Sequence, residues 1–115
     1  MSRVVLRLTE VRTATYHPRR MGRRGVEARL PRYEVLLDGR VIGEVWRDML
    51  TRETGSKYNR YVSARWQSPG WVYGVSGTPR LECSSRRDGV ERLLRNQGLR
   101  WPEGEALART AEVRR

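Results

Sequence analysis

Tyr33-Glu34-Val35-Leu36-Leu37-Asp38-Gly39-Arg40-Val41-Ile42-Gly43-Glu44-Val45-Trp46 is the stretch whose reading decides the fold. Two aliphatic and β-branched runs flank Asp38-Gly39, a dipeptide that marks a tight hairpin because glycine tolerates the positive φ such a turn demands. Alternation with period two places Tyr33, Val35, Leu37, Ile42 and Trp46 on one side, the expected core face. Arg32, Glu34, Val41, Val45 and Arg47, with Leu36, take the other side.

Working outward, Val4 to Val11 reads as a first strand. Residues 49–58 read as a polar connection. Asn59 to Trp66 alternates again, with Val62, Ala64 and Trp66 inward and Tyr61, Ser63 and Arg65 outward. Ser68-Pro69-Gly70 signals a turn before a short strand from Trp71 to Val75, and Arg80 to Cys83 is a brief extended piece. A helix follows. Ser85 is its expected N-cap with Asp88 three residues on, and Gly98 its stop. Val90, Leu93 and Leu94 give the i, i+3, i+4 stripe that packs on a sheet. The expected fold class is α+β: an antiparallel sheet of three to five strands with one C-terminal amphipathic helix on one face. Residues 1–115 read as one domain, with a basic loop or arm at 12–31 and a tail or short helix at 99–115.

Charge directs the functional reading. The 115 residues carry 24 Lys+Arg against 13 Asp+Glu, a formal net charge of +11. Lys57 is the sole lysine. The scarcity of residues with A/T-rich codons explains arginine over lysine by genome composition, but not the surplus of bases over acids. Such a surplus favours polyanionic partners, chiefly nucleic acid, through phosphate neutralisation and counterion release. It is concentrated in residues 1–31, where eight arginines face only Glu10 and Glu27, and again around the helix. Arg19, Arg20, Arg23 and Arg24 form the basic arm, expected to lie along phosphates. Assigning Asp88 to Arg92 and Glu91 to Arg95 as i, i+4 pairs leaves Arg86 and Arg87 unpartnered in the first turn. There the helix dipole disfavours cations, which suggests an anion site. Arg32, Arg47, Tyr61 and Arg65, on the outer face of the sheet, are the expected groove readers.

Catalytic chemistry is not expected. One histidine (His17) and one cysteine (Cys83) exclude multi-ligand zinc motifs and an intramolecular disulfide. The three aspartates are assigned to a turn (Asp38), a strand end (Asp48) and a cap (Asp88). Val75-Ser76-Gly77-Thr78 lacks the lysine of a phosphate loop. No cofactor or metal is expected. No apolar run reaches the length of a membrane span or a signal peptide, so a cytoplasmic protein without membrane contact is expected.

The order of strands followed by one helix, with Ser85-Arg86-Arg87-Asp88-Gly89-Val90-Glu91-Arg92-Leu93-Leu94 at the helix start, resembles the small β-sheet DNA-binding domains of tyrosine integrases, which are akin to AP2 domains. That resemblance implies an outer sheet face entering the major groove. The same helix opening is similar to the final helix of double-stranded-RNA-binding domains, whose first helix has no counterpart here. Tyr33 to Trp46 with Ser85 to Leu94 also resembles small proteins of actinobacterial phages and mobile elements. The resulting expectation is a non-enzymatic nucleic-acid-binding protein, with DNA favoured over RNA. The alternative is a phage-encoded inhibitor or adaptor that binds a host protein.

Overall fold

The computed structural model describes residues 3–17, 24–54 and 64–99. Its elements are β1 (Val4–Tyr16), β2 (Val26–Leu37), β3 (Arg40–Thr54), β4 (Ala64–Gly74), β5 (Leu81–Cys83) and α1 (Arg86–Asn96). The five strands form one antiparallel sheet in sequence order, and α1 packs against one face of it. The α+β class and a helix packed on one face agree with the sequence reading.

The β2–β3 turn falls at Asp38-Gly39, with φ of 51° and 83° respectively. Two positive φ values in succession give the type I′ geometry, whose twist matches that of the flanking strands. The largest core cluster lies between α1 and the sheet. Leu6, Val35 and Val45 from the sheet meet Val90, Leu93 and Leu94 from the helix, with Val4, Leu37, Ile42, Tyr73 and Cys83 around them. Gly43 lets the helix settle directly on β3: a Cβ there would stand 2.6 Å from Leu93 Cδ2 and 2.9 Å from the Gly74 carbonyl oxygen.

Both helix ends are capped from nearby residues. Ser85 Oγ accepts from the Asp88 N–H at 3.0 Å, and the Asp88 carboxylate accepts from the Ser84 N–H at 2.9 Å. At the other end Gly98 adopts φ 74°. The Gly98 and Leu99 N–H groups donate to the Arg95 and Leu94 carbonyls, and Leu99 packs against the core. This is the Schellman arrangement that satisfies the last carbonyls of a helix.

Two bulges correct the expected faces. In β3, Val35 pairs with Gly43 but Leu36 with Val41, so Ile42 is an extra residue. It reverses the parity beyond it. Val45, not Trp46, enters the core. Trp46 is half-buried on the face away from the helix, and Arg47 turns to the helix side, opposite its expected place. Trp66 follows the same corrected alternation: it pairs with Arg52 on the face away from α1, while Arg65 takes the helix side. A second bulge, at Thr9 in β1, reverses that strand likewise.

The strands are also longer than their sequence signals. Residues 12–16 and 26–31, expected in a loop, form the far part of the β1–β2 ladder. Residues 49–54, expected as a connection, continue β3. Ser68-Pro69-Gly70, expected as a turn, lies inside β4. Proline fits in both long strands because Pro31 and Pro69 each have a ladder partner on one side only. Val62 and most of the 99–115 tail lie outside the described residues.

The ladder between β2 and β3 stops at the Arg32–Trp46 pair, whereas β1–β2 continues to Tyr16–Val26 and β3–β4 to Thr54–Ala64. The sheet therefore forks into two two-stranded ribbons beyond the part that α1 covers. Arg12 of one ribbon and Asp48 of the other form an ion pair at 3.6 Å on the face away from the helix.

Candidate functional site

On the helix side, the fork between the ribbons forms a groove of about 220 Å³. Leu8, Val11 and Pro31 supply its apolar surface, and Tyr33 and Trp71 its aromatic surface. Arg29 from one ribbon and Arg47 from the other supply its charge. The positions follow from register: Tyr33 lies opposite Leu8, Pro31 opposite Val11, and Arg47 opposite Trp71. The start of α1 reaches the same place. Arg86 Nη1 donates to the Tyr33 hydroxyl at 3.2 Å, and its guanidinium stands 5.2 Å from the centre of the Tyr33 ring.

The electrostatics of the two sheet faces differ. On the face away from the helix, Arg7, Arg12, Arg32, Arg52 and Arg80 are matched by acids. Arg32 forms a two-pronged contact with Glu44 at 2.9 and 3.0 Å and lies over the Trp46 ring at 4.2 Å. Arg7 pairs with Glu34, Arg52 with Glu82, and both Arg12 and Arg80 with Asp48. These pairs hold the carboxyls of Glu44 and Asp48 below their ordinary range. For Glu44 the Arg32 hydrogen bond outweighs burial. For Asp48 burial pushes upward, and the Met49 N–H and Arg80 together overcome it. On the helix side Arg29, Arg47 and Arg86 have no carboxylate partner among the described residues. The Arg47 Nε is buried without any hydrogen-bond partner.

Of the residues singled out from sequence, Arg47 and Arg86 come together at this groove. Arg32 and Arg65 are ion-paired elsewhere, Arg65 with Glu53 at 2.8 Å. Arg87 does have an acid one turn on: its Nε stands 3.3 Å from Glu91, so the expectation of an unpartnered Arg87 is wrong. The other helical pair, Asp88 with Arg92, forms as read, also at 3.3 Å. Arg24 is exposed just before β2, whereas Arg19, Arg20, Arg23 and Tyr61 lie outside the described residues. Arg29, Tyr33 and Trp71 were not read as site residues. Their signal was present in the alternation of β2 and β4, but only the ladder shows that the strands run on past the expected loop and turn.

Cys83 is buried against α1, and burial first, then the Asp88 charge, pushes its thiol up. The thiol packs close to Gly89 of the helix. Among the described residues no cluster of His, Cys, Asp and Glu is placed to hold a metal ion, and no helix is long and apolar enough to cross a membrane. No family model, curated protein or solved structure matches the chain.

Proposed function

We propose that this protein binds nucleic acid, duplex DNA in the first instance, through backbone phosphates and acts by binding and not by catalysis. The observation that carries the reading is the gathering of arginines without acids beside the fork. Acids neutralise Arg7, Arg12, Arg32 and Arg52 away from the helix, while Arg29, Arg47 and Arg86 gather without acids beside the fork. Leaving arginine unpaired where the chain has acids to spare for others suits a polyanionic partner. The ribbon of β1 and β2 supports the same reading, since a two-stranded ribbon fits the major groove and this one leads into the segment bearing Arg19, Arg20, Arg23 and Arg24.

A salt titration of duplex DNA binding tests it. Each phosphate contact contributes about 0.9 to the slope of log affinity against log salt. The triple variant Arg29→Ala, Arg47→Ala, Arg86→Ala is expected to flatten that slope by roughly 2.7 if all three engage phosphates. The charge-neutral double variant Arg7→Gln, Glu34→Gln, on the other face, is expected to leave it unchanged. An unaltered slope in the triple variant removes the groove from the interface. Absence of any salt-dependent binding to nucleic acid leaves the host-protein reading in its place.

A further inference from the structure

We infer that the groove at the fork is a seat for one unpaired nucleotide, its base against Trp71 and the apolar wall and its phosphate on Arg47 and Arg29. The inference rests on the nucleic-acid reading and names the part of the polymer that this site takes.

Three observations carry it. First, the groove is not built as a phosphate cradle alone. Leu8, Val11, Pro31 and Trp71 give it an apolar and aromatic surface that a phosphate oxygen cannot use. Second, that surface lies beside cations with no acids to satisfy them, and one polar atom, Arg47 Nε, is buried with its hydrogen bond unmade. Arginines without acids are free to take a phosphate oxygen by charge-assisted hydrogen bonds. Third, Arg47 lies directly opposite Trp71 in the ladder, so cation and ring stand side by side on one wall. A ligand that fills such a place has an anionic end and a flat apolar end. A nucleotide has both.

The volume agrees with a single residue of the polymer: about 220 Å³ is below the usual size of a pocket for a larger ligand. Bases in an intact duplex are stacked and present only their edges, so Trp71 meets a base face only where pairing is broken. The site therefore distinguishes nucleic acid with an unpaired nucleotide from a continuous duplex, while its arginines contact backbone phosphates of both. Tyr33, whose ring and hydroxyl are engaged by Arg86, holds that arginine at the rim and does not itself stack.

The test compares three probes of one sequence with the full chain. The first is a fully paired duplex, the second carries a single unpaired thymidine, and the third carries an abasic residue at that place. The third keeps the phosphate and removes the base. The unpaired-thymidine probe is expected to bind roughly fivefold to 150-fold tighter than the abasic one, the range for one base stacked on an aromatic side chain. Trp71→Leu is expected to erase that difference. Equal affinity for the thymidine and abasic probes overturns the nucleotide seat, and this wild-type comparison decides even if the Trp71 variant fails to fold. Equal, salt-dependent affinity for all three probes leaves phosphate binding standing without the seat. Binding of none of them removes both.

Discussion

Arg47 shows how much one side chain depends on a one-residue shift in register. Its guanidinium is carried to the helix side by the bulge at Ile42, and there its Nε finds no acceptor. An unmade hydrogen bond on a buried donor costs about 1–3 kcal/mol. Arg47→Met keeps an apolar stem of similar reach and removes the donor. It is expected to raise Tm, by roughly 4 °C for each kcal/mol recovered, while weakening binding to nucleic acid. A thermal melt and a binding titration on the one variant check both parts. A lower Tm would mean that the guanidinium itself has a structural role. Arg87 is the opposite case. Replacing it by Glu improves its relation to the helix dipole by about 0.3–1 kcal/mol. The same change removes the Arg87–Glu91 contact and sets like charges one turn apart, at a cost of similar size. Arg87→Glu is therefore expected to leave Tm nearly unchanged, and a clear gain would show that the pair with Glu91 contributes nothing.

At the scale of elements, the close seating of α1 on β3 sets the stability of the fold. Leu93 is almost fully buried and stands over Gly43, where no side chain intervenes. Leu93→Ala is expected to cost about 2–5 kcal/mol in chemical denaturation. Gly43→Ala is expected to cost about 1–3 kcal/mol by overpacking, since its methyl group meets both Leu93 and a backbone oxygen. The double variant is expected to lose less than the two costs combined, because the smaller residue at 93 vacates space the new methyl needs. Strict additivity would show that the contact with the Gly74 carbonyl dominates. The helix and the Asp38-Gly39 hairpin were legible in the sequence because caps and turns are local, written within a few residues of where they act. The face of Trp46 was not, because a bulge is a property of two strands and leaves no mark in either alone. Strand length was hidden for a related reason. Pro31 and Pro69 read as breaks, yet each lies where its strand has a ladder partner on one side only. The groove was hidden with them, since it exists only where two ladders continue and the one between them stops.

Over the whole molecule, acids act as a means of deciding which arginines stay free, and the same acids tie stability to pH. Glu44 is held low chiefly by the Arg32 hydrogen bond, and Asp88 chiefly by the Ser84 N–H. Asp48 is held low by Met49 and Arg80 against the upward push of its own burial. A carboxyl whose folded value lies below its unfolded one contributes stability that is fully present above the unfolded value, near pH 4. That contribution is lost as pH falls through the lower, folded value. Tm is thus expected to be nearly flat from neutral pH to about 5 and to fall steeply below about 4. Glu44→Gln separates this effect from general acid unfolding. Its side chain keeps the shape and some hydrogen bonding to Arg32 but cannot titrate. The variant is expected to melt below the wild type at pH 7, and the gap is expected to close as the medium is acidified, because the wild-type carboxyl then becomes neutral as well. Thermal unfolding of the two proteins across that range reads the gap directly. A difference that stays constant down to the lowest pH would show that Glu44 supports the sheet by shape alone. The sorting of free from paired arginines would then rest on the remaining acids of that face.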